Sequence, residues 1–531
     1  MKIISNVIFI IALISCSQIL AQENSSIINL HMASLTGNIE AVSQHIQAGS
    51  NLDEKDAWGS TPLILATIFD KTEVAKALIN AGADLNLGNN EGSTPLHLAS
   101  LFGRPEIVQA LLYKGADRYI RNLNGSTAFD IVAAPFEYDK ELYDKLGAGL
   151  KPMGLVLDYE KIKKFRPQIA QMLHPTADQL KTVNYAPLKR DDWKTSIPEE
   201  QKLDPMLVAE LYNDAAHMET LLGLLVIKNG YLIAEDYFND ASVEQLSKRA
   251  SVTKSYVSAL MGLAIDQGYI KSTEQKMIEF FPEIEEQITD QRKKSITISQ
   301  MLQMRAGYPW EESDSVYWNA LWSGEYVNKI VDIPLTLDPG TGFQYSNLTS
   351  NWLGIIIARA TDMDLKSFGE KNLFSPLSVK LGDWAQDLDG YYIGCGDIQF
   401  TARDMAKFGL LYLNEGKYEG EQLIPAGWVN ESLQSYSSDI NSGGIKSGRA
   451  GRYLHDIGYG YQWWSAKVGE HSFNLAWGHG GQFIILLDEL NMIIVTTADP
   501  FYGKKNHFNA WQHEKSIINL VGKFIKSLPK K

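Results

Sequence analysis

Cysteine is almost missing from this chain. Of 531 residues only Cys16 and Cys395 are cysteines, so there is no disulfide framework and no cysteine-based zinc site. In Tyr-Ile-Gly-Cys-Gly-Asp-Ile, Cys395 reads as a small buried residue rather than a nucleophile. Clustered positive charge is missing too. No long Lys/Arg run occurs, and 63 acidic against 49 basic side chains leave a net charge of −14, which argues against nucleic acid as a partner.

Long apolar runs are also lacking. The single candidate, residues 3–14 behind Lys2, is short for a membrane span. It has the build of an export signal, expected within residues 1–21. Two processing routes are open. Leu13-Ile14-Ser15-Cys16 resembles a bacterial lipobox, which would leave Cys16 lipidated. Cleavage near Ala21 would instead release a soluble periplasmic protein.

What is present is the composition of folded protein, 45% hydrophobic and 21% charged, over a length that calls for two or three domains. Residues 60–92 and 93–125 align with each other over 33 residues, a third copy begins at Ser126, and a diverged copy precedes them from Ile27. Thr61 and Thr94 each stand before a proline, the pattern of a capped helix start. Gly49, Gly82 and Gly115 share one phase and end the second helix of each unit. Such helix pairs cannot bury an apolar face alone and must stack. Thr94-Pro95-Leu96-His97 matches the signature of ankyrin repeats, which the array resembles over about residues 27–150. The resemblance implies a protein-binding surface; the alternative is a stabilising extension. His97 reads as a structural helix residue rather than a metal ligand. Residues 151–190 read as a linker with one or two helices.

From residue 191 to 531 the pattern changes. Two apolar runs flank Asn229-Gly230, a type I′ hairpin signal. A helical stretch follows, and then three apolar strands with short, antiparallel links. In the final helix Ile517, Ile518, Val521, Phe524 and Ile525 share one face. The expected architecture is α+β: an antiparallel sheet flanked by helices, with a helical insert between its strand groups.

Ser251 opens the first helix of that insert, with Lys254 three residues on. On a helix these two side chains share a face. As an N-cap, Ser251 would favour Glu or Gln near the third helical position, and a cation in the first turn opposes the helix dipole. A local rule broken in this way marks functional sites. A partly buried lysine there is expected to have a depressed pKa and to accept the serine proton. The same spacing at Ser527 and Lys530, in a basic tail with Pro529 between them, carries no such context.

Ser-x-x-Lys is a signature of penicillin-binding proteins and serine β-lactamases. A second element in that superfamily is Tyr-x-Asn. It occurs here at Tyr237, Tyr317, Tyr326, Tyr345 and Tyr412, and only Tyr345-Ser346-Asn347 follows a Pro-Gly turn into a helix. The third element is Lys-Thr-Gly or His-x-Gly at a strand entrance. Lys446-Ser447-Gly448 has no apolar strand behind it, whereas His479-Gly480-Gly481 leads directly into one, and its glycines are expected to let substrate approach the backbone. Residues 190–525 thus resemble the β-lactamase-related serine hydrolases, in the class C and esterase-like branch.

The resemblance implies a β-lactamase/transpeptidase-like fold and hydrolysis of an ester or amide through an acyl-enzyme. Ser251 would be the nucleophile, with Lys254 and Tyr345 sharing the proton transfers. Asn347 and His479 would orient the substrate or the proton network. The backbone N–H groups of Ser251 and Gln482, the latter following His479-Gly480-Gly481, would form the oxyanion hole, with no metal or organic cofactor. The missing Lys-Thr-Gly weighs against β-lactam substrates, although a penicillin-binding DD-peptidase or β-lactamase is one alternative and a non-catalytic protein-interaction or sensor module is another. Trp310, Trp318 and Trp322 are candidates for a substrate wall or for core packing. His471 and His479 lack an evident third ligand for zinc.

Overall fold

The computed structural model describes residues 28–133, 136–321, 324–438, 440, 450–501 and 507–530. Cys16 with the rest of the export segment, Trp322 and Lys446-Ser447-Gly448 lie outside them. The chain forms two compact units that divide between Thr176 and Ala177.

The first unit is a stack of helix pairs, Leu30–Thr36 with Ile39–Gln47, Pro62–Ile68 with Thr72–Asn80, and Pro95–Leu101 with Pro105–Tyr113. Local chemistry sets their ends. The Thr61 side chain accepts from the Ile64 N–H, and Thr94 and His97 cap each other reciprocally. Gly49, Gly82 and Gly115 have φ of 66°, 92° and 85°, the left-handed turn that a side chain resists. One continuous apolar core runs through Leu63, Leu78, Leu96 and Leu111 and onward to Ile169 and Leu173. The stretch read as a linker therefore begins with a helix, Tyr159–Leu173, that belongs to the array. Its apolar stripe is interrupted in sequence by Arg166, which hid it. In the fold Arg166 is buried, donating to the Tyr143 hydroxyl and the Ile131 carbonyl and pairing with Asp139.

The second unit is built on seven strands: β1 Leu221–Lys228, β2 Tyr231–Tyr237, β3 His455–Tyr459, β4 Trp464–Val468, β5 His471–Gly478, β6 Gln482–Leu487 and β7 Met492–Ala498. Their order is β2-β1-β7-β6-β5-β4-β3, and the pairings are antiparallel. Asn229 and Gly230 both have positive φ, as the tight β1–β2 turn requires. Strands β3 and β4 were not evident in the sequence, because glycines and aromatic pairs obscure their alternation. Along β6 the side chains divide by parity: Ile484 and Leu486 enter one core, and Phe483, Ile485 and Leu487 the other.

The first core is covered by α1 Thr253–Asp266, α2 Asn347–Thr361 and α3 Ala402–Leu413. The second is covered by α4 His507–Ser527, through the face anticipated from Ile517 to Ile525. The helices between β2 and β3 supply the insert, and the starts of α1 and α2 lie within it.

Candidate active site

Ser251 lies in a 3-10 turn, Ala250–Val252, that runs into α1. It does not cap the helix: the N-cap is Val252, and no side chain bonds to the free N–H groups. Ala250 has φ 45°, a left-handed conformation that costs about 1–3 kcal/mol for a residue with a Cβ. That strain is stored one position before the serine. Ser251 is partly exposed, whereas Lys254 is buried.

Tertiary partners explain how a lysine is tolerated in this turn. Its Nζ donates to Ser251 Oγ at 2.9 Å, to Asn347 Oδ1 at 2.8 Å and to the Cys395 carbonyl at 2.9 Å. Three acceptors match the three N–H donors of an ammonium. The same nitrogen lies 4.9 Å from the centre of the Tyr345 ring, and that ring is stacked on Trp464. Ser251, Lys254, Tyr345 and Asn347 are thus brought together from two helix starts more than 90 residues apart.

The electrostatics correct one expectation. Burial is the largest single influence and presses Lys254 towards its neutral form, but Tyr345, Cys395 and Glu312 together outweigh it, and the amine is held above its usual value. Tyr345 is itself raised by burial, against the pull of Lys254 and of hydrogen bonding with Ser251. The helix dipole and desolvation by themselves favour the neutral amine; the fold adds the partners of the charge. At rest the pair is an ammonium beside a phenol. On losing one proton, the amine can keep its bonds to Asn347 and Cys395 and direct its lone pair at Ser251.

The third element adjoins the first. A Cβ on Gly478 would lie 2.5 Å from the Arg249 carbonyl and 3.1 Å from Val252, so the end of β5 rests directly on the Ala250–Val252 turn. Gln482 begins β6 opposite Gly478. Its side chain accepts from Arg249 Nη1 at 3.1 Å and donates to the Ala498 carbonyl at 2.5 Å. Arg249 is buried, brought down to about 10 by desolvation, and anchored on the Phe400 carbonyl.

Gly480 and Gly481 have φ of 83° and 100°. The spaces their side chains would fill are occupied by Pro500 and Ile517, so these glycines admit the chain's own C-terminal segment rather than a substrate. His479 Nδ1 is 3.5 Å from Glu514 of α4, and its ring meets Trp511 edge-on at 4.4 Å. Glu514 also accepts from Trp477 Nε1 and the Gly480 N–H, which fixes the turn.

The other motif copies have structural partners. Tyr237 donates to Glu235 at 2.6 Å, and Tyr317, Tyr326 and Tyr412 lie in helices. Ser527 donates to the Lys523 carbonyl, and Lys530 pairs with Glu470. His471 is held by Glu489 and the Leu528 carbonyl. Trp310 packs in the cluster that contains Tyr345 and Trp464, and Trp318 in the opposite one. Burial pushes the Cys395 thiol up to about 11; it is the residue's carbonyl that meets the site.

Sequence reasoning missed Arg249, Glu514 and Glu311. The last is fully buried and accepts from Ser346 Oγ, the Asn347 N–H and the Leu348 N–H at 2.7, 2.8 and 3.0 Å. Its only trace in sequence is an acidic pair after a Gly-Tyr-Pro-Trp loop.

Comparison with known proteins agrees with this architecture. Residues 215–517, more than half of the chain, match the family model described as beta-lactamase. Residues 30–122 match ankyrin repeats in three copies. A 6-aminohexanoate-dimer hydrolase of Paenarthrobacter ureafaciens is 25% identical over 275 residues, 47% of this chain and 68% of that protein. Beta-lactamase-like protein 2 of Dictyostelium discoideum is 21% identical over 259 residues, 44% of this chain and 46% of its own. A solved structure from Bacillus anthracis, provisionally assigned as a 6-aminohexanoate-dimer hydrolase, superposes with a TM-score of 0.50 at 20% identity, covering 66% of this chain and 91% of that one. At that identity the likeness is one of fold.

Proposed function

This chain belongs to the beta-lactamase family, and we propose that its second unit is a serine hydrolase that cleaves an ester or amide through an acyl-enzyme on Ser251. The observation that carries the reading is the Lys254 nitrogen, 2.9 Å from Ser251 Oγ and 2.8 Å from Asn347 Oδ1 in a buried site.

Ser251 Oγ attacks the carbonyl carbon and gives its proton to the Lys254–Tyr345 pair, which passes it to the leaving group. The backbone N–H groups of Ser251 and Gln482 receive the developing oxyanion; losing one such donor costs about 3–4 kcal/mol of barrier. Water then repeats the sequence on the acyl-enzyme, which releases the acid and restores Ser251. Asn347 holds Lys254 in line, and His479 borders the oxyanion side. These steps draw on protein groups and water.

Labelling with a serine-reactive fluorophosphonate tests the reading. The full chain should take the label and Ser251→Ala should not. An unlabelled wild type that turns over no ester would leave the non-catalytic module as the better reading. Fluorescent penicillin should label weakly or not at all, because His479-Gly480-Gly481 stands where Lys-Thr-Gly would bind a carboxylate. The relative named for the 6-aminohexanoate dimer supports screening linear amides beside esters. The ankyrin array is proposed to bind a protein partner; equal capture of proteins by a chain lacking residues 27–150 would contradict that. Export rests on the apolar segment at residues 3–14, and recovery of the chain from the cytosolic fraction alone would oppose it.

A further inference from the structure

The start of α2 has more polar partners than a helix start needs. Ser346 already caps it by accepting from the Thr349 N–H, just as Thr401 caps α3 with its local partner Asp404. Yet α2 also receives a carboxylate from 36 residues upstream, sealed from water, a placement that is costly unless every lone pair is used. Glu311 meets donors at both oxygens: the Ser346 hydroxyl and Leu348 N–H at Oε1, and the Asn347 N–H at Oε2. Donors converging on both oxygens favour the anion, and a negative charge suits the N-terminus of a 15-residue helix.

We propose that Glu311 is a positioning residue of the hydrolase site, a buried carboxylate that clamps residues 346–348 and thereby fixes Asn347 against Lys254. The proposal rests on the serine hydrolase reading. The clamp acts one bond from chemistry. Asn347 is bound to Glu311 through its backbone and to Lys254 through its side chain, and Tyr345 stands two residues earlier on the same segment. Lys254 is in turn bonded to Ser251. A shift of about 1 Å along such a chain of contacts costs on the order of 100-fold in rate. Burial raises the Glu311 carboxyl above its usual range, while the bonds to Asn347, Leu348 and Ser346 oppose that rise.

The test is Glu311→Gln in the full chain. Glutamine keeps the length but turns an amide N–H towards donors. Hydrogen exchange at the Asn347 and Leu348 amides should speed by roughly tenfold, the loss of about one hydrogen bond. Fluorophosphonate labelling of Ser251 should slow on the order of 100-fold. Its pH profile should move to lower pH, because a displaced Asn347 Oδ1 no longer accepts squarely from the Lys254 ammonium and so stabilises it less. A merely structural prop would lower the thermal midpoint and leave that profile in place.

Unchanged amide exchange, or an unchanged labelling rate in a folded variant, overturns the proposal. If neither wild type nor variant is labelled, the hydrolase reading and the positioning role both fall, and faster exchange would then show a clamp that only builds the fold. Should the variant not fold, Ser346→Ala removes one of the three bonds, together with the cap on the Thr349 N–H, without touching the charge. Slower labelling with the profile moved to lower pH supports the clamp, and an unaltered rate or an unmoved profile contradicts it.

Discussion

Lys254 is at once a buried cation, a donor to three acceptors and the neighbour of a phenol. Because both members of the Lys254–Tyr345 pair sit above their ordinary values, the form with one proton fewer is the minor one at neutral pH. The labelling rate of Ser251 should therefore rise with pH through the alkaline range, and Tyr345→Phe should move that limb; a flat profile would count against the assignment. Lys254→Met should lower acylation by about 10²–10⁴-fold with the far-UV circular dichroism unchanged. The serine–lysine spacing was legible in the sequence, because helix geometry alone puts the two side chains together. The acceptors that hold the lysine in place were not, since Asn347 and Cys395 reach it from 93 and 141 residues away.

Among the elements, the turn between β5 and β6 carries a second lesson. His479-Gly480-Gly481 was readable as a strand entrance, because a continuous apolar run follows it. The use of its glycines was not. The backbone there bends through positive φ to admit Pro500 and Ile517, which arrive with the last part of the chain. Gly480→Ala should cost about 1–3 kcal/mol from φ alone, and more because its Cβ would lie 2.5 Å from the Pro500 Cα. The thermal midpoint of the second unit measures this; an unchanged midpoint would mean that the turn has another conformation available.

For the whole molecule, the division after Thr176 predicts that the two units respond separately. Each side chain discussed at the site comes from the second unit, so a chain of residues 177–531 should be labelled at Ser251 at the full-length rate. The array has its own pH response. His97 is buried and neutral, its Nδ1 accepting the Thr94 N–H and its Nε2 donating to the Ser126 carbonyl, and burial brings its pKa down to about 4. The unfolded chain binds that proton at the ordinary histidine value, so stability is full above about 6.5 and declines as pH falls towards about 4, by up to about 3 kcal/mol. Calorimetry in mild acid should lower the transition of the first unit selectively, and His97→Gln should flatten that dependence.

The sequence by itself determined the repeats, the helix caps, the β1–β2 hairpin and the order of the three motifs, because each is a local pattern of turn chemistry or apolar period. Tertiary partners alone hold Lys254 above its usual value, seat Glu311 on residues 346–348 and Arg249 beside Gln482, and join Tyr159–Leu173 to the array. These depend on burial and on partners far apart in the chain, and no local period records them.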